Sequence, residues 1–279
     1  ISIITDVEAE TLEEAIALRQ QILDLAAETD AASTKEKYRL LQEAEDALEP
    51  VRLIGDLVVG AFFAAGKDRE RERERERRLG LVEQWLASGG EPPVELVEMR
   101  EVIRGRLPVF HWMTEFPEIF DAERPDPLDA DQVNRAAFMD AFVGNPPFMH
   151  GLQVARLFGT EYTSWITETL PGTDGRADLC SHFIVRAASI IGTHGTLGFI
   201  ATNTVSQGDT RESGLATLLI CGFRIYSALR SYPWPGNAAV VVSVVHLAFG
   251  SAATQEILGV PLLDGLRVLV LEQTEAGSA

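Results

Sequence analysis

Cysteine, long apolar runs and positive charge are all scarce in this sequence, and each scarcity removes a class of protein. Two cysteines, Cys180 and Cys221, are too few for a disulfide framework or an all-cysteine zinc site. Leu179 and Ile220 precede them, so neither sits on the Pro-Cys loop that carries a thiolate nucleophile for attack at cytosine C5. Both are expected to be small buried apolar residues. The five histidines show no H-x-x-x-H or similar spacing, so no metal is expected. No uninterrupted apolar stretch reaches the ~20 residues of a membrane span. The N-terminus is not the cationic, apolar segment of a signal peptide, so a cytoplasmic location is the expectation. The sequence starts at Ile1 rather than Met and is expected to be a piece of something longer.

What is present is enough for a folded body. At 279 residues, 46% of them hydrophobic, the chain can bury a substantial core as one large or two smaller domains. The net charge of −18 opposes contact with phosphate. If nucleic acid is the partner, another segment or subunit is expected to supply most of the grip.

Residues 1 to about 66 read as helices. Thr11 with Glu14 and Ser33 with Glu36 have capping-box spacing ahead of apolar-periodic runs. Leu53, Ile54, Leu57, Val58 and Ala61 continue an i, i+3, i+4 pattern beyond Pro50, which predicts a further buried helix. Lys67 to Arg78 alternates acid and base, with opposite charges at i+3 but like charges at i+4, and reads as a solvated, mobile helix or linker, with a nucleic-acid contact as the alternative. Gly89-Gly90-Glu91-Pro92-Pro93 predicts a loop before another short helix.

From about residue 107 β-branched and aromatic segments alternate with helical ones, the pattern of a mostly parallel sheet with helices on its faces. Strands are predicted over 138–144, 198–202, 223–226, 238–249 and 268–271, helices over 179–191 and 213–219, and a turn at 192–195. There is no internal repeat. Two regions result, a helical region or insertion over 1–106 and a sheet-bearing part over 107–279.

The strand 138–144 ends in Asn145-Pro146-Pro147-Phe148. Read without analogy, this is a Pro-Pro turn closing a buried strand, with Phe148 in the core. It also resembles the catalytic loop of methyltransferases that act on a planar exocyclic nitrogen, and the chemistry accounts for the residue types. An aromatic amino group is a poor nucleophile because its lone pair is delocalised into the ring. An amide oxygen and the next backbone carbonyl can accept its two N–H bonds and localise that lone pair. Prolines hold the acceptors by fixing φ, and an aromatic ring stacks on an extruded base.

Phe110-His111-Trp112-Met113-Thr114-Glu115-Phe116-Pro117-Glu118-Ile119-Phe120 precedes that loop. In this order the two segments resemble the large adenine-N6 DNA methyltransferases of type IIG restriction–modification enzymes and of phage-defence systems such as DISARM. Ser231-Tyr232-Pro233-Trp234-Pro235-Gly236-Asn237-Ala238-Ala239-Val240 resembles that family's later loop and strand beside the target base. The resemblance covers roughly 50 to 250. It implies an α/β, Rossmann-like methyltransferase sheet (the catalytic-loop half) preceded by a helical region, S-adenosyl-L-methionine as cofactor, DNA as partner and defence-system proteins as further partners. It also implies roles: Asn145 and the Pro146 carbonyl on the amino group, Pro147 as the second fixing proline, Phe148 stacked on the base, Asp178 beside the cofactor and Trp234 walling the base pocket. A plain helix N-cap at Asp178 and a structural Trp in a Pro-rich turn stand as alternatives.

One departure is plain. The glycine-rich cofactor loop, which in that family precedes the catalytic loop, is absent, and helical sequence stands in its place. Alone, the chain is expected to be incomplete for both S-adenosyl-L-methionine and specific DNA. Two further readings stay open: a methyltransferase acting on RNA guanine or protein glutamine NH₂ groups, and a non-catalytic methyltransferase-like scaffold subunit.

Overall fold

The structure, a computed structural model, describes residues 2–121, 123–126, 129–135, 138–234, 241–249 and 269–270. The chain divides into two compact units, one of residues 1–124 and 134–137, the other of residues 125–133 and 138–279. The division falls in a two-stranded sheet of β1 (Glu123–Asp126) and β2 (Asp129–Arg135).

The first unit is helical: α1 (Ser2–Asp24), α2 (Ala31–Phe63), α3 (Asp68–Ser88), α4 (Val94–Arg104) and the short α5 (Trp112–Glu115) and α6 (Pro117–Phe120). Leu53, Leu57, Val82, Trp85 and Leu96 form its main core cluster, and Leu12, Ala15 and Leu48 a second. Neither expected capping box is a cap. Thr11 lies inside α1. α2 is capped by Asp30, whose carboxylate accepts from the amides of Ala32 (2.8 Å) and Ser33 (3.0 Å), leaving Ser33 three places into the helix. A carboxylate at that place satisfies the orphan amides and complements the helix dipole better than the hydroxyl further in.

α2 runs unbroken through Pro50 where two helices were expected. A proline there removes one backbone bond and crowds the preceding turn. In that turn the Glu45 carbonyl accepts from Arg52 Nη1 at 3.2 Å, and Leu48 and Leu53 are buried on either side. The charged run also differs from expectation. It is the start of α3 and it is packed: Arg71 lies over the Phe62 ring at 3.8 Å, and the buried Arg78 donates to Glu74 and to the Leu57 carbonyl. An arginine can bury its stem while its head finds acceptors, and a charge count along the sequence does not register that. Gly89 and Gly90 take positive φ in the expected loop before α4.

Residues 110–120 fasten this unit together. Arg52 grips Glu115 through two bonds of 2.8 and 2.7 Å, and Arg19 donates to the Glu115 carbonyl and to Glu118. His111 and Arg104 meet the fully buried carboxylate of Asp56 at 2.9 and 2.5 Å. Burial raises the Asp56 pKa, but its bonds to His111 and Arg104 outweigh burial and hold it below the usual range. Trp112 packs on Phe110 and stacks on Phe116.

The second unit holds a five-stranded sheet of β3 (Met139–Gly144), β4 (Ile191–Thr202), β5 (Phe223–Pro233), β6 (Val241–Phe249) and β7 (Leu269–Val270), in the order β3-β4-β6-β5-β7. α7 (Gly151–Phe158), α8 (Thr160–Thr169) and α9 (Leu179–Ser189) separate β3 from β4. A 3₁₀ turn (Asn203–Ser206), α10 (Gly208–Arg211), a π-helical turn (Glu212–Ala216) and α11 (Thr217–Ile220) follow β4. One face of the sheet, with Leu197, Phe199, Val245 and Leu247, packs against Ile184 of α9, Ile166 of α8 and Leu218 of α11 in a single core.

The sheet is mixed rather than mostly parallel. β3 with β4 and β5 with β7 are parallel, whereas β4 with β6 and β6 with β5 are antiparallel. Residues 192–195, expected as a turn, lie in β4, where Ile191 to Thr196 is matched by only Met139 to Ala141 of β3. The surplus is taken up as a bulge in which a Cβ on Gly195 would meet the Ile191 side chain at 2.3 Å and the Asp140 carbonyl at 3.0 Å. Cys180 is buried as expected, and burial raises its thiol pKa. Cys221 is exposed, because α11 ends before it and turns the chain outward. The strand expected from 238 is described from Val241 onward, and 235–240 lie outside the described residues.

Candidate active site

Because β3 and β4 run parallel, their carboxyl ends lie side by side, the usual place for ligands on such sheets. Asn145 leaves the sheet directly after Gly144 and is exposed; Pro146 is buried, Pro147 exposed and Phe148 38% exposed. A buried proline between exposed neighbours fixes the backbone while leaving the Asn145 side chain open. Beyond it, His150 caps α7, its Nδ1 accepting from the Leu152 amide at 3.3 Å. The Met149 carbonyl accepts from the Leu179 amide at 2.8 Å, tying the loop to the start of α9. Gly151 sits against the backbone of Gly175 and Arg176, where a Cβ would meet the Gly175 carbonyl at 2.4 Å.

Asp178 occupies the N-cap place of α9 but makes no side-chain capping bond. Its buried carboxylate instead accepts from the hydroxyls of Thr202 (3.1 Å) and Thr204 at the end of β4. Its amide donates to Thr210 Oγ1 at 3.1 Å, and the Asp174 amide donates to Ser213 Oγ at 2.7 Å. The segment leading into α9 is thus stitched to α10 and to the π-helical turn, a feature common at functional sites. Beneath it His182 is 5% exposed, and neither ring nitrogen has a hydrogen-bond partner among the described residues. Burial holds its pKa below the ordinary histidine value.

The antiparallel strands bring the last part to the same edge. Thr202 of β4 and Tyr232 of β5 both pair with Val242, so Trp234, half-buried just past β5, lies at the end of the sheet that carries Asn145. The fold therefore gathers Asn145–Phe148, Asp178 and Trp234 along one edge. Sequence reasoning did not single out Thr202, Asn203, Thr204, Ser231, Ser243 or His182. The run Thr202-Asn203-Thr204, at the end of the predicted strand 198–202, was the available signal for the first three.

A methyl donor needs its own cradle, and the described residues do not complete one. Both threonine hydroxyls meet a single oxygen of the Asp178 carboxylate, Oδ2, and before β3 the described residues form helices and the two-stranded β1–β2 sheet rather than a glycine-rich strand–loop–helix. Among the described residues no group of three or more His, Cys, Asp or Glu can hold a metal ion, and no helix is long and apolar enough to cross a membrane.

No curated protein matches the chain. Among solved structures it is similar to the type IIL restriction–modification enzyme MmeI in complex with DNA, at 22% identity over 39% of this chain and with a TM-score of 0.33. The chain spans 15% of the length of that protein. Residues 96–258, which include the Asn145–Phe148 loop, Asp178 and Trp234, match the family model described as the MmeI DNA-methyltransferase domain. On a match over that much of its length, the chain belongs to the MmeI DNA-methyltransferase domain family.

Proposed function

We propose that this chain carries the target-base side of a DNA methyltransferase that modifies adenine N6 within a restriction–modification or phage-defence system. The observation that carries the proposal is the Asn145-Pro146-Pro147-Phe148 loop at the carboxyl end of β3, within a segment matching a DNA-methyltransferase family. Asn145 Oδ1 and the Pro146 carbonyl accept the two N–H bonds of the extruded adenine amine and aim its lone pair. Pro146 and Pro147 hold those acceptors still, so alignment costs little at the moment of reaction. Phe148 stacks on the base and Trp234 walls the pocket. S-adenosyl-L-methionine, when bound, supplies an electrophilic methyl group. Asp178 acts from the wall shared with the donor pocket, through the threonines that hold it.

In functional terms we divide the chain into a helical region, 1–106, and a catalytic-loop part of a Rossmann-like methyltransferase domain, 107–279. With a net charge of −18, we assign most of the DNA grip to another segment or subunit, and we propose a cytoplasmic assembly with defence-system partners.

The test is N6-methyladenine formation by the complete protein, wild type against Asn145→Ala. Loss of one such acceptor is expected to lower kcat by on the order of 10²–10³ while substrate binding and melting are kept. Acidity favours one second reading, in which RNA guanine or protein glutamine is the substrate. Labelled methyl transfer to those substrates, with none to DNA, would put that reading first. An assembly that binds no S-adenosyl-L-methionine would leave the scaffold role.

A further inference from the structure

Ser231 is one of two non-glycine residues among those described that have positive φ, at 53°. It lies where β5 carries one residue too many. Leu229 pairs with Val244 and Tyr232 with Val242, so Arg230 and Ser231 together face Ser243. A bulge of this kind decides which side of the sheet every later residue presents, because a slip of one residue turns each side chain over. The residues it governs are Tyr232 and Pro233, which lead into Trp234.

The bulge is held by one side chain from a third strand end. Asn203, just past β4, accepts from Ser243 Oγ at 2.8 Å through Oδ1 and donates to Ser231 Oγ at 3.3 Å through Nδ2. Ser243 is buried, so the first bond is costly to lose. A left-handed serine persists only where its surroundings over-determine it. Here the surroundings are Asn203, bonded both to the bulge and to the strand opposite.

We propose that Asn203 and Ser231 are positioning residues for the target base: they lock the β5 bulge and so set the register that presents Trp234 to the base pocket. This rests on the adenine-methyltransferase reading above. The clamp acts on how the base is received and not on the donor.

The experiment uses the complete protein and duplex DNA carrying 2-aminopurine in place of the target adenine, alongside N6-methyladenine kinetics on the unsubstituted site. Ser231→Ala removes one hydroxyl and leaves the buried Ser243–Asn203 bond in place. Asn203→Ala removes both bonds. Asn203→Asp keeps both, because each serine can turn its hydroxyl to donate to a carboxylate. Ser231→Ala and Asn203→Ala are expected to raise KM for DNA about tenfold and to lose the 2-aminopurine fluorescence rise, since a misplacement of about 1 Å can cost on the order of 100-fold. Donor affinity is expected to stay unchanged, and Asn203→Asp is expected to recover both signals.

Ser231→Ala with KM and fluorescence within about twofold of wild type, on an enzyme that does methylate adenine, overturns the clamp and leaves the functional reading intact. So does an Asn203→Asp protein as impaired as Asn203→Ala. A wild type that methylates no adenine overturns the functional reading and this inference with it.

Discussion

Gly55 is small because His111 needs its space: a Cβ there would lie 2.7–2.9 Å from three atoms of the imidazole ring. Gly55→Ala therefore has to push His111 away from Asp56, whose buried carboxylate would lose a partner. The expected cost is about 1–3 kcal/mol, as for other overpacked sites, and a urea melt of the variant measures it. His182 gives the second prediction at this scale. Its folded pKa is depressed by burial, so the unfolded chain binds the proton more readily. Stability is therefore full above the ordinary value of about 6.5 and is lost as pH falls from there toward the folded value. Melting temperature followed from pH 8 down to pH 5 is expected to drop for wild type and to stay flatter for His182→Leu; parallel curves would show that His182 does not set that slope. Neither residue was legible as special. The sequence shows a glycine in a helix and a histidine on an apolar helical run, and only packing reveals what each one faces. The place of Asn145 was legible, because a strand end followed by two prolines is written consecutively in the sequence.

Among elements, the link between the Asn145–Phe148 loop and α9 is one that a single methyl group can break. Gly151 begins α7 with backbone on its other side, and the nearest atoms to an added Cβ are the Gly175 carbonyl at 2.4 Å and the Arg176 backbone. Main chain cannot rotate aside as a side chain can. Gly151→Ala is expected to displace the 170–178 segment, loosen the Met149–Leu179 bond and lower kcat more than it raises KM for DNA. Steady-state kinetics on the complete protein check this, and an unchanged kcat would mean that the loop holds its place without that contact. Helices and strands were largely legible here from periodicity, but their pairing was not. The alternation of strand-like and helical segments read as a mostly parallel sheet, yet β4 and β6 pair antiparallel. The observed β5 runs on to Pro233, past the predicted end at 226, and leaves too short a link to Val241 for a parallel crossover, which needs about a dozen residues; β5 and β6 accordingly pair antiparallel.

At the scale of the whole molecule, composition indicated what the charge could not do but not how it is arranged. Four arginines of α3 are tied up locally: Arg75 and Arg77 pair with Glu72 and Glu74, Arg71 with Asp68, and Arg78 turns inward. The segment that resembled a methyltransferase signature, 110–120, fastens the helical unit through Arg19, Arg52 and Asp56, a task that a motif read along the sequence does not disclose. β3 has a consequence for handling the protein. Among the described residues it pairs with β4 alone, and Val143 near its end is 89% exposed. An exposed apolar side chain on such a margin strand invites another molecule to add its own strand. Produced as this stretch by itself, the protein is expected to self-associate through that margin in a concentration-dependent way. Val143→Lys is expected to delay the rise in light scattering, and if it does not, the adhesive surface lies elsewhere.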